Sequence, residues 1–198
     1  MDLGEDDVKD PAYIEALKRY GAENPTEKDL KAIESELYNG PDRGAAVVLG
    51  ALVERSLEAL LKKVLRPEGV NQLFKYGGPL GDFAAKTQMA YSLKLIGRVT
   101  RTDLTIIRHL RNQFAHSQKP IKFTTPVVRA VCDHLQYPDQ PGIFINFRLL
   151  NTVSRARLKA AADKKYPRTR YFISCNEIAQ RVYFVRGGRA DIQLNELL

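Results

Sequence analysis

The most regular hydrophobic pattern in the chain lies between residues 43 and 65. Apolar or small side chains recur there at steps of three and four, at Ala45, Val48, Leu49, Leu52, Ser56, Ala59, Leu60 and Val64. This spacing predicts an α-helix with a buried face. The first half of the segment is apolar on more than one face, which predicts either the central helix of a bundle or part of a dimer interface.

Start and stop signals predict further helices on both sides of this segment. The signals are a capping Asp or Thr, a Pro at the first helical position and a Gly after the last residue. They predict helices over residues 11–20, 26–38 and 82–96, from Thr102 or Asp103 to His116, and over 125–137 and 146–165. The glycine-rich run 77–81 precedes one of them. It is interpreted as a tight turn, with a phosphate cradle as the alternative.

The tail after Tyr166 allows two predictions. Ser174-Cys175-Asn176-Glu177 matches a capping box and predicts a helix from Glu177 to about Val185. Alternation over residues 183–185 and 170–173 would instead form a short strand pair. The predicted fold is all-α, an antiparallel helical bundle with a basic C-terminal extension. Its expected organisation is acidic N-terminal helices over 1–42, a core over 43–165, and an extension over 166–198 packed on the same domain.

Composition narrows the class of protein. The chain has no run of about 18 apolar residues, and its acidic start lacks the basic-then-apolar order of a signal peptide. We therefore expect a cytoplasmic protein with no membrane partner. Cys132 and Cys175 form no CxxC pair, which argues against a zinc site, and two reduced, buried thiols are favoured over one disulfide. No metal or other cofactor is expected.

Charge is spread unevenly along the chain. The net charge is +8, yet residues 1–42 are acidic and the rest is strongly basic. This balance favours a polyanionic partner, although pairing of the two regions or a solvated basic face would give the same composition. The candidate nucleic-acid-binding residues of the tail are Arg155, Arg157, Lys159, Lys164, Lys165, Arg168 and Arg170.

The run from Arg111 to His116 contains the side chains of the sequence that are best suited to catalysis. Arg111 falls on the apolar stripe of its predicted helix, where its charge needs an acidic partner or an exposed cleft. Asn112 and His116 are four residues apart and share a second face with Arg108. A helix C-terminus favours protonated His116, and the combination suits attack on a phosphodiester. A purely structural alternative pairs Arg111 with Glu54 or Asp82 and makes His116 a helix cap.

Two family resemblances rest on these residues. Arg111-Asn112-Gln113-Phe114-Ala115-His116 resembles the RxxxxH motif of the HEPN superfamily, and residues 54–61 fit the helix that precedes it. A longer stretch, from about 78 to 117, resembles the mannitol operon repressor family. That likeness is carried by Gly78-Pro79-Leu80-Gly81-Asp82-Phe83, Lys86, residues 89–96 and the RNxFAH ending. Neither resemblance covers the acidic N-terminus or the basic tail.

Both resemblances imply an antiparallel helical bundle that is usually dimeric, but they imply different functions. HEPN enzymes are metal-independent endoribonucleases of toxin or defence type, in which both protomers line one cleft. That resemblance implies that RNA is the substrate and that His116 is the general base or acid. It also implies that Arg111 stabilises the phosphorane and that Asn112 orients both side chains. The alternative is a non-catalytic regulator or interaction module. An antitoxin or a regulatory protein would be a further partner. Because His116 lies about 140° round the helix from Arg111, a site shared by two chains is favoured over one within a chain.

Overall fold

A computed structural model describes residues 26–139 and 165–184, together with residues 12 and 14. Every regular element in these ranges is helical, and none is a strand, which confirms the all-α prediction. The elements are α1 Glu27–Asn39, α2 Asp42–Val64, α3 Val70–Leu73, α4 Phe83–Ser92, α5 Arg98–His116, α6 Pro126–Cys132, a 3-10 turn Tyr137–Asp139 and α7 Pro167–Phe184. The helices predicted over 11–20 and 146–165 lie outside the described residues, apart from positions 12, 14 and 165.

Helix α2 is the central element, as its hydrophobic pattern predicts. Its bounds differ by one residue at each end from the prediction of 43–65. Leu49, Val53, Leu57 and Leu60 are almost completely buried, and the helix packs against α1, α4, α5 and α7. Full burial of such side chains contributes roughly 1.5–3 kcal/mol each. The buried face is rotated from the predicted one: Leu49 and Leu60 are buried as expected, whereas Val48 and Val64 are exposed. The helix is apolar on more than one side, so its spacing alone did not show that the side with Val53 and Leu57 meets the core.

Helix α4 begins as predicted but ends early. The Asp82 Oδ1 accepts a 2.8 Å hydrogen bond from the Ala85 N–H and caps the first turn. The helix ends at Ser92 rather than near Ile96, because Lys94 adopts a left-handed backbone with φ 57°. The N–H groups of Lys94 and Leu95 then satisfy the carbonyls of Tyr91 and Ala90. This termination normally uses Gly or Asn, so the sequence pointed instead to Gly97.

Helix α5 begins at Arg98, four or five residues before the predicted start at Thr102 or Asp103. Asp103 is not a cap, because its side chain lies completely buried inside the helix packing. Its two oxygens accept the backbone N–H groups of Gln136 and Tyr137 at 2.9 and 3.1 Å. The carboxylate thus ties the 3-10 turn to α5. The prediction of a helix start here was wrong.

The segment after α5 is less regular than predicted. Thr125 and Pro126 do open α6, but the helix ends at Cys132 instead of continuing to 137. The N–H groups of Asp133, His134 and Leu135 close its last turn on carbonyls of α6. Residues 133–136 form an irregular turn that leads into the 3-10 turn at Tyr137, and Asp103 holds this junction through the N–H groups of Gln136 and Tyr137.

Helix α7 is one continuous helix, so both predictions for the tail need correction. The capping-box match at 174–177 lies in the helix interior, and residues 170–173 are helical instead of forming a strand. Tyr171, Cys175, Ile178 and Val182 are buried at helical spacing. The Tyr171 hydroxyl donates to the Ala46 carbonyl at 2.9 Å, which locks α7 to α2. Both cysteines are free and buried, as expected.

Candidate functional site

Arg111 lies where α5 crosses α2, with 30% of its side chain exposed. Its Nη2 donates to the Glu54 Oε2 at 3.2 Å, and its Nη1 donates to the Asn112 Oδ1 at 2.9 Å. Of the two acidic partners that the sequence allowed, it is therefore Glu54 that pairs with Arg111. Because two acceptors hold the two terminal nitrogens, the guanidinium has a defined orientation while part of it stays accessible to solvent.

The close approach of the two helices at this point depends on Gly50. A Cβ atom added to Gly50 would lie only 2.7 Å from the Arg111 Cγ and 2.8 Å from its Cβ. The Tyr171 hydroxyl would lie 3.2 Å away. The absence of a side chain on α2 therefore makes room for the stem of Arg111.

Glu54 is itself held by a second cation, Lys86 of α4. The Lys86 Nζ lies 3.0 Å from the Glu54 Oε1 and 3.1 Å from the Glu58 Oε2, and only 6% of its side chain is exposed. Burial alone would raise the pKa of Glu58, but hydrogen bonds from Lys62 and Lys86 outweigh it and lower that pKa below its ordinary value. The result is a chain of alternating charges that joins α4, α2 and α5.

Lys86 is a residue whose role the sequence pattern did not predict. It lies on the stripe of α4 that also buries Phe83, Thr87 and Ala90. A lysine on such a stripe needs a carboxylate partner nearby, just as Arg111 does on α5. A cation on an apolar stripe is therefore the sequence signal for Lys86 as well as for Arg111.

His116 is the last residue of α5 and its side chain is exposed. The helix stays regular up to this end, where the Ser117 N–H bonds the Gln113 carbonyl at 3.0 Å. Arg43 of α2 donates to the carbonyls of Ser117 and Lys119 and so fixes the segment that follows. In a regular helix, side chains five residues apart diverge by about 140°. Arg111 and His116 of one chain therefore leave the helix in different directions.

Arg108 was expected to support the site from the same face as Asn112 and His116. Its Nη2 lies 2.8 Å from the Nε2 of the neighbouring His109, within α5. Since a guanidinium can only donate, the His109 Nε2 is the acceptor. Of the two residues expected to support the site, Glu54 contacts Arg111 directly, whereas Arg108 donates its hydrogen bond to His109.

The basic tail residues divide into three groups. Arg155, Arg157, Lys159 and Lys164 lie outside the described residues, and Lys165 has its Nζ 5.9 Å from the Tyr166 ring centroid. Arg168 and Arg170 make internal contacts. Arg168 pairs with Asp42 at 2.8 Å and donates to the carbonyls of Leu37 and Gly40.

Arg170 is completely buried. It pairs with Asp139 through both terminal nitrogens, each at 2.8 Å, and donates to the carbonyls of Cys132 and Leu135. A guanidinium in this position ties α7 to α6 and the 3-10 turn. It does not face a nucleic-acid backbone, contrary to the expectation from the sequence.

The glycine-rich run before α4 has a structural explanation. Gly77 has a positive φ of 75°, and a Cβ at Gly78 would lie 2.7 Å from the carbonyl oxygens of Gln72 and Leu73. The Leu80 N–H bonds the Leu73 carbonyl at 2.8 Å. These contacts explain the glycines by tight chain packing, in agreement with the interpretation as a turn.

Within the described ranges, no cluster of three or more His, Cys, Asp or Glu side chains is arranged to hold a metal ion. No helix in those ranges is long and apolar enough to cross a membrane. Comparison of the chain with protein-family models, curated proteins and solved structures finds no significant match. Chemistry and geometry at the Arg111 site are therefore the basis for a functional proposal.

Proposed function

We propose that the protein is a metal-independent endoribonuclease of HEPN type that acts as a homodimer in the cytoplasm. Its fold would be the antiparallel helical bundle of the HEPN and mannitol-repressor proteins. One observation carries the proposal: Arg111 is oriented by Glu54 and Asn112 yet partly exposed, at the end of the helix that presents His116. An oriented cation and an imidazole are the two groups that phosphodiester transesterification needs.

In the proposed reaction, the RNA supplies its own nucleophile. His116 accepts the proton of a 2′-hydroxyl as its oxygen attacks the adjacent phosphorus, and Arg111 stabilises the added negative charge on the phosphorane oxygens. The bond from phosphorus to the 5′-oxygen then breaks, and that oxygen takes the proton from the same His116, which returns to its neutral form. The products are a 2′,3′-cyclic phosphate and a 5′-hydroxyl. Neither a metal nor a water molecule is consumed in this step.

The regular geometry of α5 supports sharing the site between two chains. Arg111 and His116 diverge by about 140° in a helix that remains regular through His116. A two-fold arrangement lets Arg111 of one protomer approach the same phosphate as His116 of the other. No distortion of the helix end is then required.

The test is cleavage of total cellular RNA by the purified protein in the presence of a chelator. Wild type is expected to release 2′,3′-cyclic phosphate ends, and His116→Ala to lose cleavage by about a hundredfold or more. His134→Ala is the matched control, since His134 is an exposed histidine that follows α6. Equal amounts of inactive His116→Ala and inactive Arg111→Ala protomers should regain part of the activity, because mixed dimers hold one complete shared site. Wild-type protein that cleaves no RNA would end the proposal.

A second candidate is a non-catalytic regulator or protein-interaction module of the mannitol-repressor type. The pairing of Arg111 with Glu54 favours it, because a scaffold would use the same ion pair to join α5 and α2. This candidate predicts that binding of a partner, whether a regulatory protein or an antitoxin, survives His116→Ala. It also predicts no cleavage by wild type, so the same assay separates the two functions.

A further inference from the structure

The stretch from residue 83 to residue 132 is almost free of negative charge. Its Lys and Arg residues are Lys86, Lys94, Arg98, Arg101, Arg108, Arg111, Lys119, Lys122 and Arg129. Its single carboxylate, Asp103, is completely buried and accepts two backbone N–H groups. The solvent-facing side chains of this stretch therefore include no carboxylate.

Helix α5 places three of these arginines and two histidines on one face. Arg98, Arg101, His109 and His116 are exposed and Arg108 is half-buried. At 100° per residue all five fall within an arc of about 100°. The arc lies opposite the buried core stripe of the helix. From Arg98 to His116 the face extends over about 27 Å along the helix axis.

A flat aromatic contact adjoins this face. The Arg101 guanidinium lies 4.5 Å from the centroid of the half-buried Tyr91 ring on α4. An arginine stacked on an aromatic ring offers an unpaired base a second flat surface, and it keeps its charge for the backbone. A duplex, whose bases are already stacked, gains nothing from such a platform.

We propose that Arg98, Arg101, Arg108 and Tyr91, here called the α5 basic face, bind single-stranded RNA and direct it to Arg111 and His116. The inference rests on the proposed function for the cleavage step, and it names the surface that holds the substrate. Of the tail residues, Arg168 and Arg170 make internal contacts and do not belong to this surface. Phosphates of the RNA contact the arginines along the helix, and the strand continues from them to Arg111 and His116.

The experiment measures binding of a fluorescein-labelled, unstructured RNA of about 20 nucleotides to the full chain carrying His116→Ala, so that the strand stays intact. In that background, combined Arg98→Ala, Arg101→Ala and Arg108→Ala substitutions are expected to weaken binding at least about tenfold. Each lost phosphate contact lowers the slope of log Kd against log salt by about 0.7, so the triple variant loses about 2. Tyr91→Leu is expected to weaken binding without changing that slope. Arg66→Ala, an exposed arginine after α2, is the matched control with unchanged binding.

The outcomes separate this inference from the proposed function. Binding by the triple variant equal to that of its parent, with its helical content and unfolding midpoint intact, overturns the α5 basic face. Tighter binding of duplex RNA than of the single strand overturns it as well, as does an equal preference for an acidic polypeptide. If wild type cleaves no RNA but binding depends on these arginines, the proposed function fails and the surface stands. If the triple variant cleaves RNA as fast as wild type, the surface fails and the nuclease stands.

Discussion

Lys86 and Glu54 form a 3.0 Å ion pair between α4 and α2, and Lys86 is the more buried partner. The same Nζ reaches Glu58, while the other oxygen of Glu54 holds Arg111. A lysine buried between two carboxylates thus fixes the acid that orients the candidate catalytic arginine. Packing of α4 on α2 and the geometry of the site depend on the same side chain.

Lys86→Met is expected to lower the free energy of unfolding by about 2 kcal/mol, because Glu54 and Glu58 lose a buried cation but keep partial solvent access. Chemical denaturation measures the loss. Lys62→Met is the matched control, since Lys62 pairs with Glu58 one turn away with 34% of its side chain exposed. That control should cost about 0.5 kcal/mol or less. Equal losses of unfolding free energy in the two variants would show that the burial of Lys86 does not strengthen its contribution to stability.

Helix existence was largely predictable from the sequence, whereas helix ends were predictable only where the decisive contact was local. The Asp82 cap is a contact between neighbours in the chain, and the sequence predicts it. Asp103 resembles a cap equally well in the sequence. Its carboxylate oxygens instead accept hydrogen bonds from backbone N–H groups 33 and 34 residues away. A carboxylate with a distant partner has the same sequence signature as one with a local partner.

The residues of the candidate site also differ in how far the sequence predicts their roles. Arg111 was noticeable because a cation interrupts an apolar stripe, and its pairing with Glu54 was one of two open possibilities. Arg170 gave no such signal, since it lies in a basic tail where a guanidinium is unremarkable. Only the packing of α7 beside Asp139 makes it a buried structural group.

Asp103 should give the stability of the protein a defined pH dependence. Burial raises its pKa from the usual 3.8 to about 6, so between these values the folded state holds a proton that the unfolded chain has lost. Stability from this group is therefore present at low pH and falls by roughly 3 kcal/mol as pH rises through the window. Asp103→Asn removes the ionisation. Its free energy of unfolding, measured with urea, should therefore rise relative to that of wild type as the pH increases from 4 to 7. Asp82→Asn, at an exposed cap, is the matched control. A constant difference between wild type and Asp103→Asn across that range would contradict the prediction.

Arg170→Met is expected to destabilise the fold by about 3 kcal/mol or more. The substitution leaves the carbonyls of Cys132 and Leu135 without their donor and removes both hydrogen bonds to Asp139. Thermal and urea unfolding measure the loss. Arg129→Met, at an exposed position on α6, should change stability by no more than about 0.5 kcal/mol. If Arg170→Met instead weakened RNA binding with stability unchanged, Arg170 would belong to a nucleic-acid surface after all.

Gly50→Ala tests how closely the site depends on the contact between α2 and α5. Alanine normally stabilises a helix by about 1 kcal/mol relative to glycine, but here its Cβ would meet the stem of Arg111 at 2.7 and 2.8 Å. One of these atoms is the Arg111 Cβ, which cannot rotate away, so the helices must separate. We expect a net loss of about 1–2 kcal/mol and a fall in RNA cleavage of about tenfold or more as Arg111 shifts. Gly44→Ala on the same helix meets nothing within 4 Å, so it should stabilise the protein and leave cleavage unchanged. If both variants gained stability and kept full activity, the position of Arg111 would not depend on Gly50.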